Sequence, residues 1–155
     1  MDIQGEFRIQ APREAVWTAL NDPEMLKRCI PGCESIEKQS DTEFVAKMRA
    51  RIGPVKAGFT SEIKLINLNP PSSYTLVGEG KGGAAGFGKG SADVELSEEG
   101  DETVLRYNAS LQVGGKLAQI GSRLVGGTAR KIADDFFSNF SEQMNPPQAD
   151  TGAPA

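Results

Sequence analysis

The side chains that most often carry out catalysis are scarce or poorly placed in this sequence. The chain contains no histidine, so the commonest general base is missing. Its carboxylates fall mostly in turns or at positions predicted to face outward, as Glu62, Asp93 and Glu98 do. Ser61 is predicted to face inward, but no partner base accompanies it. We therefore expect a protein that binds a molecule and is not an enzyme.

Two cysteines, Cys29 and Cys33, bracket the segment Ile30-Pro31-Gly32. Without histidine or a second cysteine pair, the soft ligands are too few for a structural zinc site. Residues 1–10 show no secretory signal, so we expect a reducing compartment and two free thiols, with a disulfide between them as the alternative. The sequence indicates neither a metal nor a cofactor.

Two glycine-rich motifs resemble nucleotide-binding loops. Residues 78–83 match the pattern G-x-G-x-x-G, and residues 83–89 resemble a phosphate loop. Such loops bind phosphates where a strand leads into a helix, whereas here another strand is predicted to follow. We interpret the glycines as a curved hairpin, as a pliable wall beside a ligand cavity, or as both. Phe87 is the one large apolar side chain at the tip.

The composition fits one water-soluble domain. A chain of 155 residues can bury a core without disulfides or metals. Its net charge of −4 argues against nucleic acid as a partner, because phosphates are bound by clustered lysine and arginine. No run approaches the roughly 18 apolar residues of a membrane-spanning helix. A cytoplasmic protein is therefore expected.

Alternating apolar and polar residues predict seven antiparallel strands, because a sheet that buries one face repeats every two residues. The first strand covers residues 3–9, and two short helices follow it. The second helix has Asp22 as its N-cap and Pro23 at its first position. Six further strands fall between residues 35 and 113.

A long amphipathic helix is predicted over residues 116–144 to cover the sheet, which makes the fold class α+β. Gly121, Gly126 and Gly127 each cost this helix about 0.8–1 kcal/mol relative to alanine. They indicate close packing on the sheet, or flexibility that lets the first half of the helix move as a gate; we favour the gate. Residues 1–144 form the domain, and the Pro- and Ala-rich residues 145–155 are predicted to be a disordered tail.

Several short motifs together carry a family resemblance. They are Ala15-Val16-Trp17 with Leu20, Asp22-Pro23, Cys29-Ile30-Pro31-Gly32-Cys33-Glu34, residues 115–123 and Phe136-Phe137. Through them the chain resembles the carbon monoxide dehydrogenase G-subunit (CoxG) family, most specifically in the Cys-Ile-Pro-Gly-Cys segment. The Val-Trp and Asp-Pro parts are shared across the START and Bet v 1-like (SRPBCC) superfamily. The resemblance implies a helix-grip fold, in which the sheet, two short helices and the long C-terminal helix enclose a hydrophobic cavity.

The resemblance also implies an accessory role beside a molybdenum-containing hydroxylase of the carbon monoxide or xanthine dehydrogenase type. Family members are linked to placing such an enzyme at the membrane, and some carry an apolar C-terminal anchor. This sequence ends in Gly-Ala-Pro-Ala, so the expected contact is peripheral, at the inner face of the membrane.

Our leading hypothesis is a binding protein for an apolar small molecule, such as a quinone or another lipid. The cavity would be lined by inward-facing residues of the strands and closed by the start of the long helix. These predicted ligand-binding residues are Met48, Ile52, Phe59, Ile63, Leu76, Phe87, Tyr107, Leu111, Leu117, Ile120 and Leu124.

The alternative hypothesis is a docking or maturation module with a filled core and no ligand. Its working surface would be residues 29–34 together with the basic flank of the long helix, which includes Lys116 and Arg123. That flank is either a solvated face or a contact for an acidic partner or anionic lipid headgroups. An enzyme of the cyclase or hydrolase kind is a third possibility, disfavoured by the missing histidine.

Overall fold

The computed structural model describes residues 1–144. The predicted disordered tail, residues 145–155, lies outside this range. The elements follow the predicted order. They are strand β1 Asp2–Ile9, helices α1 Arg13–Leu20 and α2 Pro23–Cys29, strands β2 Cys33–Ser40, β3 Glu43–Ile52, β4 Val55–Asn69, β5 Ser73–Lys81, β6 Phe87–Glu99 and β7 Glu102–Gly114, and helices α3 Lys116–Ile120 and α4 Ser122–Met144, with a 3-10 turn at Gly83–Ala85.

The strands form one antiparallel sheet in the order β1-β7-β6-β5-β4-β3-β2. The first strand pairs with the last, from Asp2 opposite Ser110 to Ile9 opposite Thr103. Along β3 and β4, apolar and polar residues alternate between buried and exposed positions. The apolar residues therefore share the inner face, toward α4, and the polar residues share the outer face. The predicted α+β class and seven-stranded sheet are confirmed.

The two ends of the sheet are closed differently. At one end, which we call the helical end, α1 packs on β6 and β7, and α2 packs on β2. Asp22 caps α2 as predicted, because its carboxylate accepts a hydrogen bond from the Glu24 amide at 3.0 Å. The opposite end, which we call the hairpin end, carries the β3–β4 turn, the β5–β6 turn and the passage from β7 into α3.

The protein core fills the helical end of the inner face. Phe140 of α4 is fully buried there with Ile9 and Leu105. Phe137 stacks on Phe7 of β1 with ring centroids 4.5 Å apart, and such aromatic pairs add to the stabilisation from area burial alone. The second half of α4 is thus anchored by its phenylalanines.

The helix predicted over residues 116–144 is not continuous. Gly121 has φ +103° and separates α3 from α4, while Gly115, with φ +70°, precedes α3. Residues with a β-carbon rarely adopt these left-handed conformations, so the chain can turn there at low cost only because both residues are glycine. Gly126 and Gly127 remain helical within α4.

The glycine-rich stretch is a hairpin and not a loose connection. Gly78 pairs with Gly90 and Gly80 with Gly88, which leaves only residues 82–86 for the turn. At Gly86, whose φ is +108°, a β-carbon would overlap the carbonyl oxygen of Gly114. Glycine is therefore needed at position 86 for the close approach of the turn to β7, and the hairpin interpretation is confirmed.

Candidate functional site

The inner face of the sheet is only half filled. Toward the hairpin end, its apolar residues are partly exposed, whereas those at the helical end are buried. We call this partly exposed region the open half. Its inward-facing positions are Met48, Ala50 and Ile52 of β3, Val55, Ala57, Phe59 and Ser61 of β4, and Leu111 and Val113 of β7.

Glycines make the wall of the open half where β5 and β6 cross it. The paired inward positions of these strands are Gly78 with Gly90 and Gly80 with Gly88. None of them projects a side chain into the space above the sheet. At Gly90 the strands curve so closely that a β-carbon would overlap the carbonyl oxygen of Ser110. The open half is thus a concave, backbone-lined surface flanked by apolar side chains.

Helix α3 and the start of α4 lie across the open half. Leu117 of α3 is 3% exposed, and α3 packs on β7 and on the β5–β6 turn. At the tip of the β3–β4 turn, a β-carbon on Gly53 would lie 3.5 Å from Ile120 and 3.5 Å from Leu124. The helical segment therefore bridges from β7 to the β3–β4 turn, and Leu124, 50% exposed, lies at the rim.

The structure brings most of the predicted ligand-binding residues to one region. Met48, Ile52, Phe59 and Leu111 belong to the open half. Leu117, Ile120 and Leu124 lie on the segment above it, as described. Three others, Ile63, Leu76 and Tyr107, belong to the core or pack against it, so they form the boundary between the two halves.

Phe87 was predicted to line the cavity, but it does not lie in the open half. It is 40% exposed and pairs with Lys81 on one side and Gly114 on the other, both on the outer face. Its ring lies over Gly114, where a β-carbon would overlap it. On β6 the even-numbered residues, beginning with Gly88 and Gly90, face inward. Odd-numbered residues such as Phe87 therefore face outward.

Ser61 and Tyr107 carry two of the hydroxyl groups that face inward. A β-carbon on Gly80 would lie 3.0 Å from the hydroxyl oxygen of Ser61. Tyr107 stacks near Phe137, with ring centroids 5.7 Å apart. Burial, and secondarily the charge of Asp134, raises the pKa of the Tyr107 phenol. Within residues 1–144 the Ser61 hydroxyl has no hydrogen-bond partner, so it remains available to a bound molecule, whereas Tyr107 is 6% exposed and belongs to the core.

The Cys-Ile-Pro-Gly-Cys segment is fastened to its neighbours. The Arg49 amide donates to the carbonyl oxygen of Gly32 at 2.9 Å, and the side-chain amide of Asn139 on α4 donates to the carbonyl oxygen of Cys29 at 3.0 Å. Both thiols are free, and burial raises the pKa of Cys29 and of Cys33. These thiols are therefore poor nucleophiles at neutral pH.

The outer face holds a feature that the sequence did not predict. A groove of about 840 Å³ runs across the strands there. Its sides include Glu62 and Lys64 of β4, Glu79 of β5 and Lys89 of β6. The groove combines these charged side chains with apolar ones, such as Val45 and Val77, and lies on the opposite side of the sheet from the open half. Alternation places these residues outward, but it does not show that the face is concave.

In the described part of the chain, the helices are all too short or too polar to cross a membrane.

Comparison with known proteins gives one family match. The model of the family described as the carbon monoxide dehydrogenase G subunit (CoxG) matches residues 5–145. A conserved protein from Geobacillus kaustophilus is similar in structure, with a TM-score of 0.86, 32% identity and coverage of 93% of this chain and 95% of that chain. None of the curated protein sequences matches the chain.

More distant structures share the fold. A START superfamily protein from Mycobacterium smegmatis has a TM-score of 0.72 at 10% identity and covers 92% of this chain and 96% of its own. The Zhui aromatase/cyclase from Streptomyces sp. R1128 has a TM-score of 0.68 at 11% identity and covers 93% of each chain. At such identities the likeness concerns the fold alone, and it confirms the expected helix-grip architecture.

Proposed function

Because the chain belongs to the carbon monoxide dehydrogenase G-subunit (CoxG) family, we propose that it is an accessory protein that binds an apolar small molecule. The proposed ligand is a quinone or another lipid, held in the open half. The proposed partner is a molybdenum-containing hydroxylase of the carbon monoxide or xanthine dehydrogenase type, served at the inner face of the membrane. The observation that carries the proposal is the partly exposed apolar surface between the sheet and α3.

The open half offers the free energy that an apolar ligand needs. Removing apolar area from water contributes about 25 cal/mol per Å². The exposed parts of Met48, Ile52 and Phe59, with Ile120 above them, would be covered together with the ligand's own surface. Part of this gain offsets the loss of translational and rotational freedom on association. A molecule with a long apolar body is therefore favoured over a small polar one.

One polar group is positioned to orient the ligand. Ser61 lies on the inner face near the boundary with the core, and its hydroxyl group is free of protein partners within residues 1–144. A hydroxyl group can donate one hydrogen bond to a carbonyl oxygen, such as that of a quinone. Binding sites for apolar ligands typically combine such a group with apolar walls. The head of the ligand would then point toward the core and its tail toward the hairpin end.

Several carboxylates support binding over catalysis, because they are engaged on the surface. Glu99 and Glu102 form ion pairs with Arg8, each at 2.9 Å, and Glu6 pairs with Arg106 at 2.8 Å. The inward-facing positions of the open half carry apolar side chains and Ser61. A general acid or base would have to come from elsewhere in the chain or from the partner.

The test is ligand uptake by a variant whose open half is filled. Protein purified from its own host is analysed by native mass spectrometry with organic extraction, and then dialysed against a panel of quinones and lipids. Ala57→Phe places a ring on the inner face, since Ala57 pairs with Ala50 there. We expect it to lower uptake at least tenfold, because the ring occupies the space of the ligand. Urea unfolding checks that the variant is folded.

Val77→Phe is the matched control. Val77 is 38% exposed on the outer face, so the same ring there should leave uptake unchanged. A clean apo mass for the native protein, with no uptake from the panel, would rule out the binding function. Equal uptake by both variants would place the ligand outside the open half.

The docking or maturation module remains the second candidate. It is favoured by the fastened segment of residues 29–34, which leads into the edge strand β2. On this alternative, the protein would co-purify with the molybdenum enzyme whether or not its open half is filled. Ala57→Phe therefore separates the two functions, because only ligand binding should be lost.

A further inference from the structure

The arginines at the two ends of the sheet differ in their partners. At the helical end, Arg8, Arg13 and Arg106 all bond carboxylates at 2.8–3.1 Å. At the hairpin end, Arg49 pairs with Glu34 at 3.2 Å, with both side chains largely exposed, and such a pair contributes little. The other strand lysines and arginines of this end form no ion pair within residues 1–144.

These residues form a compact basic patch on the outer face. Lys47 and Lys81 flank Thr60 in adjacent strands, and Arg51 lies directly opposite Lys56. Adjacent strands are about 4.8 Å apart, so the charges repel one another unless an anion is near. The basic patch consists of Lys47, Arg49, Arg51, Lys56 and Lys81.

Apart from Glu34, which pairs with Arg49, acidic residues are segregated from this patch. The sequence has neither Asp nor Glu in residues 44–61 or in residues 80–92, the two stretches that form the hairpin end of β3 to β6. By contrast, Glu98, Glu99 and Glu102 gather at the β6–β7 turn of the helical end. A protein with a net charge of −4 therefore presents a positive surface at one end.

Apolar side chains are exposed beside the basic patch. Phe87 is opposite Lys81 in the sheet and is 40% exposed, and Leu124 contacts the β3–β4 turn and is 50% exposed. Lys116 and Arg123 are also exposed, at the starts of α3 and α4. Basic residues combined with exposed Phe and Leu are typical of surfaces that bind the interface of an anionic bilayer.

We propose that the hairpin end docks on an anionic lipid bilayer, with the basic patch on the headgroups and Phe87 and Leu124 in the interface. The rim of the open half lies at this same end, so an apolar ligand could pass between bilayer and protein without crossing water. The docking itself stands without the ligand; only its use for ligand transfer rests on the proposed function. An acidic protein would satisfy the charges but gives no reason for the exposed apolar residues.

The test is co-sedimentation with vesicles of phosphatidylcholine alone or with about 30% phosphatidylglycerol, at low and high salt. Lys47→Glu with Lys56→Glu reverses two charges of the patch. Lys38→Glu with Lys64→Glu is the matched control, because it changes the net charge equally at exposed lysines nearer the helical end. Since each basic residue near an anionic surface contributes about a factor of five, the patch variant should lose about thirtyfold in partitioning or more.

We expect the wild type and the control to bind the anionic vesicles at low salt and to be released at high salt. Leu124→Ser should weaken binding while preserving the salt dependence. Absence of binding by the wild type, or equal binding by the two charge variants, would overturn the proposal. Patch-dependent binding to poly-glutamate without vesicle binding would assign the patch to an acidic protein instead.

A quinone titration in solution keeps the two proposals apart. The patch variant should bind quinone as the wild type does, because its substitutions lie on the outer face. Vesicle binding without quinone binding would leave the docking surface intact and refute the proposed function. Quinone binding without vesicle binding would do the reverse.

Discussion

Gly32 lets the loop before β2 approach the backbone of β3 closely, because it has no side chain. Its φ is +74°, and a β-carbon would overlap the carbonyl oxygen of Arg49. The Gly32 carbonyl oxygen in turn accepts a hydrogen bond from the Arg49 amide at 2.9 Å. The close contact with β3 and the left-handed conformation both require glycine at this position. The segment that carries the family resemblance is therefore held in place in part by backbone contacts, and its two cysteines form no disulfide.

Gly32→Ala should destabilise the protein by about 3 kcal/mol or more, because the new methyl group adds an overlap to the backbone strain. Gly100→Ala is the control. Gly100 also has a left-handed φ, of +64°, but a β-carbon there meets nothing within 4 Å. It should lose only about 1 kcal/mol, the cost of the conformation itself. Urea unfolding measures both changes, and equal losses would contradict the overlap.

Helix α3 is an element with a glycine turn at each end. Gly115 and Gly121 have φ of +70° and +103°, so we expect the five residues between them to move more readily than the anchored half of α4. Leu117 is the main contact of α3 with the body of the protein. The gate suggested by the glycines of the sequence is thus placed at α3, and its motion remains a prediction.

Gly121→Ala should lower the free energy of unfolding by about 1–2 kcal/mol, since alanine is strained at a φ of +103°. Gly127→Ala is expected to change the free energy of unfolding in the opposite direction. Gly127 is helical, and a β-carbon there meets nothing within 4 Å. It should stabilise the protein by about 0.5–1 kcal/mol. Thermal unfolding measures both changes. If the melting temperatures of the two variants shifted in the same direction, that result would contradict the break in the helix.

At the scale of the whole molecule, buried acids link stability to pH. Burial raises the pKa of Tyr74 far above its ordinary value of 10.0, and it also raises the pKa of Tyr107 and of the thiols of Cys29 and Cys33. In each case the folded state favours the neutral form. The stabilisation is therefore complete below the pKa of the unfolded state and is lost as the pH rises through the folded pKa.

We expect the free energy of unfolding to fall as the pH rises above about 9, where the unfolded thiols and then phenols ionise. Tyr74→Phe should flatten the part of the decline above pH 10, because it removes the most strongly shifted group. Tyr107→Phe should flatten it less. Urea unfolding across alkaline pH measures the three slopes. Identical slopes for Tyr74→Phe and the wild type would show that burial of Tyr74 does not carry the effect.

Much of the fold follows from the sequence alone. Alternation over β3, β4 and β7 assigns each residue to a face, because polar and apolar side chains differ strongly in their preference for water. The cap at Asp22 and the amphipathic stripe of α4 are equally local. Most of the predicted lining residues, such as Met48 and Phe59, therefore reach the inner face as expected.

Other features were decided only by the tertiary structure, because the local pattern of the sequence carries no information about them. Alternation says nothing through a run of glycines, so the face of Phe87 depends on the register with β7, and a shift of one residue reverses it. A glycine within a helical pattern is compatible with a continuous helix and with a break, so the sequence could not assign the break at Gly121. Which charges meet at the hairpin end depends on the register in which neighbouring strands pair. The face of the sheet on which a side chain lies is thus determined by the local sequence pattern. The shape of the open half and the grouping of charges on the surface are determined by residues that meet only in the folded protein.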